Sequence, residues 1–261
     1  MDLKKYFAEN RILIMDGGSG TELLKAGYEP HNAPYDAVVS LHRAYLGAGS
    51  ALILSNTFSP NCNNSKLYAD IAVSATQNFG TGRFAAMDIG PRADYEAYFD
   101  DAKAGVDAGV DIIFLETMLT IEGTRAAIRA ARRAAGEKKL PIFVSATFTE
   151  SGYLHGATGV TAAQFAEMAE CEGADAVGAN CSFGPLLMRT SRIVEEMKNA
   201  VKIPIICKPN AGSGNAYTPQ LFADEMIGLI EQGASIIGGC CGTTPHHIMI
   251  LREKLEKGRY L

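Results

Sequence analysis

The sequence predicts a single-domain (β/α)8 barrel, the TIM-barrel architecture, over residues 1–261. Eight short apolar segments rich in β-branched residues recur at intervals of 27 to 40 residues. Near-continuous apolar runs of this kind are typical of parallel strands that are covered on both faces. The stretches between them have helical periodicity, and a chain of 261 residues has a usual length for eight strand–helix units.

Each predicted strand ends in small or polar residues. The eight segments are 11–18, 51–58, 84–91, 111–118, 141–148, 176–183, 204–211 and 235–242. The alternative is an open, doubly wound sheet, which usually has fewer units and a G-x-G-x-x-G turn after its first strand. The glycines at 17, 18 and 20 do not have that spacing, so the closed barrel is preferred.

Helices are predicted between these strands from the spacing of apolar residues. One helix begins near Asp94 and places four apolar residues on one face: Tyr95, Phe99, Ala102 and Val106. Similar patterns cover 121–135 and 221–230. Thr-Pro pairs at 218–219 and 244–245 are typical of an N-cap followed by proline in the first helical turn.

The composition argues against several classes of protein. The formal net charge is −5, and we interpret four arginines of one predicted helix as a solvated face rather than a nucleic-acid site: Arg125, Arg129, Arg132 and Arg133. No apolar run approaches the roughly 18 residues of a membrane span, and we see no signal peptide. Six cysteines without regular spacing are expected to be reduced thiols of a cytoplasmic protein.

Two adjacent cysteines, Cys240 and Cys241, stand among glycines at the end of the eighth predicted strand. Neighbouring residues of a strand point to opposite faces, so both thiolates reach one ion only where the backbone leaves strand geometry, which glycines permit. A soft dithiolate favours zinc or another thiophilic metal. The alternative is a buried apolar pair.

Cys181 ends the sixth strand in a small and polar context, which makes it the natural third ligand. Three protein ligands leave one tetrahedral position open, as in catalytic zinc sites. Because three thiolates donate much negative charge, such a zinc suits the activation of a substrate thiol better than that of water.

The remaining cysteines and two histidines are weaker candidates. Packing or surface roles are expected for Cys62, Cys171 and Cys207, and first-turn helix positions for His246 and His247.

Further strand ends supply candidate substrate-binding residues: Asp16, Gly17, Gly18, Thr57, Glu116 and Asn180. A carboxylate inside a barrel mouth needs a cation, so Glu116 binds either a substrate amino group or Lys208. Asp16 either contacts the ligand or braces the glycine turn, and in the second case the glycine N–H groups remain available for a carboxylate.

Taken together, the motifs resemble those of homocysteine S-methyltransferases. This family includes S-methylmethionine- and betaine-dependent enzymes and the N-terminal homocysteine-binding module of cobalamin-dependent methionine synthase. The resemblance runs from about residue 11 to residue 250 and rests on the segments 16–21, 55–58, 109–117, 178–181, 208–212 and 238–245.

The resemblance implies a barrel in which Cys181, Cys240 and Cys241 bind zinc. It also implies that Glu116 holds the amino group of homocysteine and that 16–18 binds the amino-acid end. Methyl transfer to the zinc-bound thiolate would form methionine.

The methyl donor is left open because the segments after Asn61 and Pro91 are shorter than is usual in the family. A short rim suggests a bulky donor, such as a separate methyl-corrinoid protein. The alternatives are an S-methylmethionine-dependent or other small-thiol methyltransferase, and a non-catalytic thiol- or zinc-binding subunit of a corrinoid system. A barrel aldolase with Lys208 as Schiff-base residue fits the motifs less well.

Overall fold

The computed structural model describes residues 3–9, 12–181, 187–212 and 217–261. Within these residues, eight parallel strands form one sheet in the order β1-β8-β7-β6-β5-β4-β3-β2. The ring closes between the first two strands, where Met15 bridges Leu52 and the Asp16 N–H donates to the Leu52 carbonyl at 3.0 Å. The predicted (β/α)8 barrel is therefore confirmed.

Every predicted strand segment contains or overlaps a strand. The strands are β1 Leu13–Ile14, β2 Leu52–Leu54, β3 Phe84–Ile89, β4 Ile112–Met118, β5 Ile142–Ala146, β6 Ala176–Asn180, β7 Ile205–Lys208 and β8 Ala234–Ile237. The polar strand ends that the sequence singled out therefore lie at one face of the barrel, as parallel strands require.

One described helix precedes β1, two follow it, and one follows each later strand. They are α1 Leu3–Glu9, α2 Ser19–Lys25, α3 Tyr35–Ala48, α4 Ser65–Phe79, α5 Tyr95–Ala108, α6 Ile121–Ala135, α7 Ala162–Cys171, α8 Leu187–Ala200, α9 Pro219–Glu231 and α10 Pro245–Lys257. Asp94 caps α5 by accepting from the Ala97 N–H, and Thr218 caps α9 by accepting from the Leu221 N–H. None of these helices is long and apolar enough to cross a membrane.

The lower part of the barrel is filled by an apolar interior of inward-facing side chains. Its buried members are Leu13, Met15, Ala51, Leu52, Leu54, Ala86, Ile112, Phe114, Phe143, Ala176, Ile206 and Ile236. The rings of Phe114 and Phe143 meet edge to face with centroids 6.5 Å apart. Tyr6 of α1 packs on Phe84 and covers this end, so access to the barrel lies at the opposite end.

The arginine-rich face of α6 is paired with acids in or directly after neighbouring helices. Arg129 contacts Glu172 at 2.9 Å, and Arg133 lies 3.6 Å from Glu96. These ion pairs support the interpretation of this face as solvated surface.

Candidate metal and substrate site

A cavity of about 480 Å³ opens at the C-terminal ends of the strands. Its lining includes residues from seven of the eight strand ends: Gly17, Gly18, Asn56, Asp88, Glu116, Thr117, Cys181, Lys208, Cys240 and Cys241. Six of the nine sequence-predicted site residues are in this lining. Asp16, Thr57 and Asn180 lie behind it.

Three thiols converge at the mouth of the cavity. The Sγ atoms of Cys181, Cys240 and Cys241 all lie within 4.8 Å of one another, and those of Cys181 and Cys241 are 3.7 Å apart. All three cysteines are free. Zn–S bonds of about 2.3 Å in a tetrahedron place two sulfurs about 3.8 Å apart. The spacing and softness of the donors therefore fit zinc.

The backbone explains how adjacent cysteines share one site. β8 ends at Ile237, after which the Cys240 N–H donates to the Pro209 carbonyl and the Cys241 carbonyl accepts from the Ala211 N–H, each at 2.9 Å. The chain has thus left strand geometry, as predicted.

The neighbouring glycines act mainly through close packing. A Cβ at Gly239 would lie 2.2 Å from the Thr243 Oγ1, and one at Gly238 would lie 2.7 Å from the Asp16 carbonyl oxygen. Gly242 differs, because its φ of 84° also places it in the left-handed region.

The thiols titrate as one group. Hydrogen bonds from Cys181 and Cys240 lower the pKa of Cys241 to about 3, whereas hydrogen bonds with Cys240 and Cys241 raise the pKa of Cys181 above its ordinary value. Three adjacent thiols share one negative charge more readily than they hold three. Full ionisation therefore requires a bound cation.

Below the thiols, four ionisable side chains form a polar layer: Asp16, Asp88, Glu116 and Lys208. The Lys208 Nζ lies 2.8 Å from the Glu116 Oε1, 3.9 Å from the Asp16 Oδ1 and 5.3 Å from the Phe114 ring centroid. Glu116 thus has the lysine partner that the sequence left as its alternative, and it also lines the cavity. Burial raises the pKa of Glu116 despite this pairing.

Asp16 is fully buried and bonds neither of the glycines that follow it. Its Oδ2 accepts from the Leu54 N–H at 2.8 Å, which joins β1 to β2. The Gly18 N–H donates to the Thr243 carbonyl at 3.1 Å and to its Oγ1 at 2.9 Å. The Gly18 N–H is therefore already engaged within the chain, and Asp16 does not brace the glycine turn. Burial raises the pKa of Asp16 to about 7.

Thr57 and Asn180 position their neighbours. The Thr57 Oγ1 donates to the Asp88 carbonyl at 2.7 Å. Asn180 accepts from the Thr117 N–H at 3.1 Å and donates to the Thr117 Oγ1 at 2.6 Å. This clamp holds Thr117 at a φ of 60°, beside a register shift in β4 between Leu115 and Met118.

The other candidates lie elsewhere. Cys207 is buried within β7, Cys171 is exposed at the end of α7, and His247 bonds the Thr244 N–H through Nδ1 at 3.2 Å. Sequence reasoning missed Asp88 as a lining residue. The available signal was an aspartate in the otherwise apolar β3.

Comparison with known proteins agrees with this geometry. Methionine synthase of Mycobacterium leprae is 30% identical to the chain over 300 aligned positions, and that of Mycobacterium tuberculosis is 31% identical over 291. These alignments cover 95% and 91% of this chain, but the chain spans only 24% of either relative's length.

Among solved structures, the apo form of the homocysteine methyltransferase MmuM from Escherichia coli superposes with a TM-score of 0.78. It is 22% identical, and the match covers 97% of this chain and 99% of that one. The metallated form of MmuM gives the same TM-score at 20% identity. At these identities the likeness supports the barrel fold.

The sequence pattern described as Homocysteine S-methyltransferase matches residues 13–255, nearly the whole chain. This chain therefore belongs to the homocysteine S-methyltransferase family.

Proposed function

We propose that this chain is a zinc-dependent methyltransferase that converts homocysteine to methionine, and that its 261 residues act as one cytoplasmic barrel. The observation that carries the proposal is the convergence of three free thiols at the mouth of a cavity with a buried, charged floor. Cys181, Cys240 and Cys241 would hold Zn²⁺. The metal would keep the substrate thiol deprotonated at neutral pH, where a free thiol is mostly protonated.

The chain's own residues would bind and orient the acceptor. Glu116 presents a carboxylate to the cavity, suited to the amino group of an amino acid. Gly17 and Gly18 line the cavity where the chain leaves no room for a side chain, since a Cβ at Gly18 would lie 2.5 Å from the Cys240 carbonyl oxygen. The methyl group would pass to sulfur by in-line displacement, with the bonding pair leaving on the donor.

For the donor we propose a methylated corrinoid protein. Only the five residues 90–94 separate β3 from α5, so little chain covers this side of the mouth. Arg92 donates to the Phe58 and Thr57 carbonyls at 2.9 Å and ties this short segment to the loop after β2. An open rim suits a macromolecular donor.

Turnover by the purified chain tests the function. Homocysteine would be supplied with methylated corrinoid protein, methylcobalamin, S-methylmethionine or betaine in turn, with zinc throughout. We expect methionine with the corrinoid donors. Rapid use of S-methylmethionine alone would favour the small-donor alternative. Zinc and thiol binding without turnover by any donor would favour a non-catalytic subunit.

Zinc binding is predicted to depend on the three cysteines. Cys240→Ala and Cys181→Ala each remove one of three ligands, so we expect both variants to lose bound zinc and activity. Cys171→Ala removes an exposed thiol on α7 and is the matched control. Metal content by atomic emission checks this, and full zinc retention in either ligand variant would contradict the assignment.

A further inference from the structure

Asp88 points into the barrel above the apolar interior. It pairs in register with Phe114 of β4, and Ala86, two residues earlier on the same strand, belongs to the apolar interior. Because alternate residues of a strand share a face, Asp88 is inward-facing and lies one step nearer the mouth. It contributes to the cavity lining.

The Asp88 carboxylate lacks a cation of its own. It is 5% exposed, and within the described part of the chain its Oδ1 has no hydrogen-bond partner. The Lys208 ammonium forms ion pairs with Glu116 and Asp16. Arg92 donates to Asp101 at 2.6 Å and to backbone carbonyls.

The polar layer as a whole is short of positive charge. Three carboxylates, those of Asp16, Asp88 and Glu116, face the single ammonium of Lys208. An unpaired buried carboxylate is costly, and the cost is relieved by a cation that enters with a ligand. The cavity is the route by which such a cation reaches Asp88.

We propose that Asp88 binds the ammonium group of the acceptor, together with Glu116, and thereby selects thiols that carry an α-amino group. This assignment rests on the proposed homocysteine site and names the residue that completes it. The Glu116 Oε1 is already engaged by Lys208, so Glu116 alone offers a partly neutralised carboxylate.

The titration of the layer is consistent with this role. Burial, reinforced by the charges of Glu116 and Asp16, raises the pKa of Asp88 well above 3.8, while Lys208 and Arg92 act in the opposite direction. A ligand ammonium competes with the proton that the free carboxyl retains. Binding of the amino group should therefore strengthen as pH rises.

The test compares two thiols that differ only in the amino group. Homocysteine and 4-sulfanylbutanoate, its analogue without the amine, would be titrated calorimetrically into three zinc-bound proteins. These are the wild-type chain and the variants Asp88→Asn and Asp100→Asn. Asp100 lies on the exposed side of α5 and is the matched control. A charged hydrogen bond is worth about 1.5–3 kcal/mol, so Asp88→Asn should weaken homocysteine binding by about ten- to hundredfold.

We expect binding of the analogue to Asp88→Asn to be nearly unchanged and zinc content to be preserved. The unfolding temperature should not fall, because the substitution removes an unpaired buried carboxylate. If Asp88→Asn lost the same affinity for both thiols, or no affinity for homocysteine, the role of Asp88 would be overturned. The proposed function would be left standing. A wild-type chain that binds zinc but neither thiol would overturn the proposed function and this assignment with it.

Discussion

The inward-facing positions of the barrel form two layers with opposite properties. Along β4 and β7 a single step of two residues leads from Phe114 to Glu116 and from Ile206 to Lys208. The apolar interior removes hydrocarbon from water and stabilises the fold. The polar layer above it buries four ionisable groups, each with a desolvation cost. The apolar interior therefore stabilises the fold, whereas the polar layer, which borders the cavity, costs stability.

Asp16→Asn is the substitution expected to show the largest effect on this balance. Burial raises the pKa of Asp16 to about 7 in the folded protein, from an ordinary carboxyl value of 3.8. The folded state therefore retains a proton that the unfolded chain releases, and stability falls as pH rises from about 4 to about 7. At about 1.36 kcal/mol per pH unit this amounts to at most about 4 kcal/mol.

Asparagine does not titrate in this range and can still accept from the Leu54 N–H. The variant should thus become more stable than the wild type as pH rises, and the difference should level off above pH 7. Urea unfolding between pH 4 and 8 measures it. Asp111→Asn is the control, since Asp111 accepts from the Ala85 N–H at the opposite end of the barrel. A pH-independent difference would show that Asp16 is ionised throughout.

The sequence predicts the three thiols of the site better than it predicts the polar layer. The barrel and the thiol cluster are predictable because apolar periodicity marks the strands and cysteine is a rare, soft ligand at their ends. Cys181, Cys240 and Cys241 do lie together, as those positions suggested.

The polar layer was less predictable because the partner of a buried charge depends on tertiary distance. Lys208 and Glu116 are 92 residues apart in sequence. From the sequence, either Lys208 or a substrate amine could be the cationic partner of Glu116. Likewise, the sequence left open whether Asp16 braces the glycine turn and so leaves N–H groups such as that of Gly18 available to a carboxylate. The contact with Thr243, 225 residues away, can be read only from the folded chain.

Ile236→Val tests the other layer and should have the smallest effect. Ile236 is fully buried in β8, four residues before Cys240. Loss of one methylene group from a packed core costs about 0.5–1.5 kcal/mol. We therefore expect a lower denaturation midpoint at every pH, with unchanged zinc content and homocysteine affinity.

Ile236→Val should thus lose stability at every pH, whereas Asp16→Asn should gain stability at neutral pH. Together the two substitutions test whether a change in the apolar interior affects the site above it. Side chains in a close-packed interior transmit strain, so a shortened Ile236 that moved the thiols would alter zinc affinity as well. Measuring zinc affinity in Ile236→Val therefore decides whether the apolar interior only supports the fold or also sets the spacing of the three sulfurs.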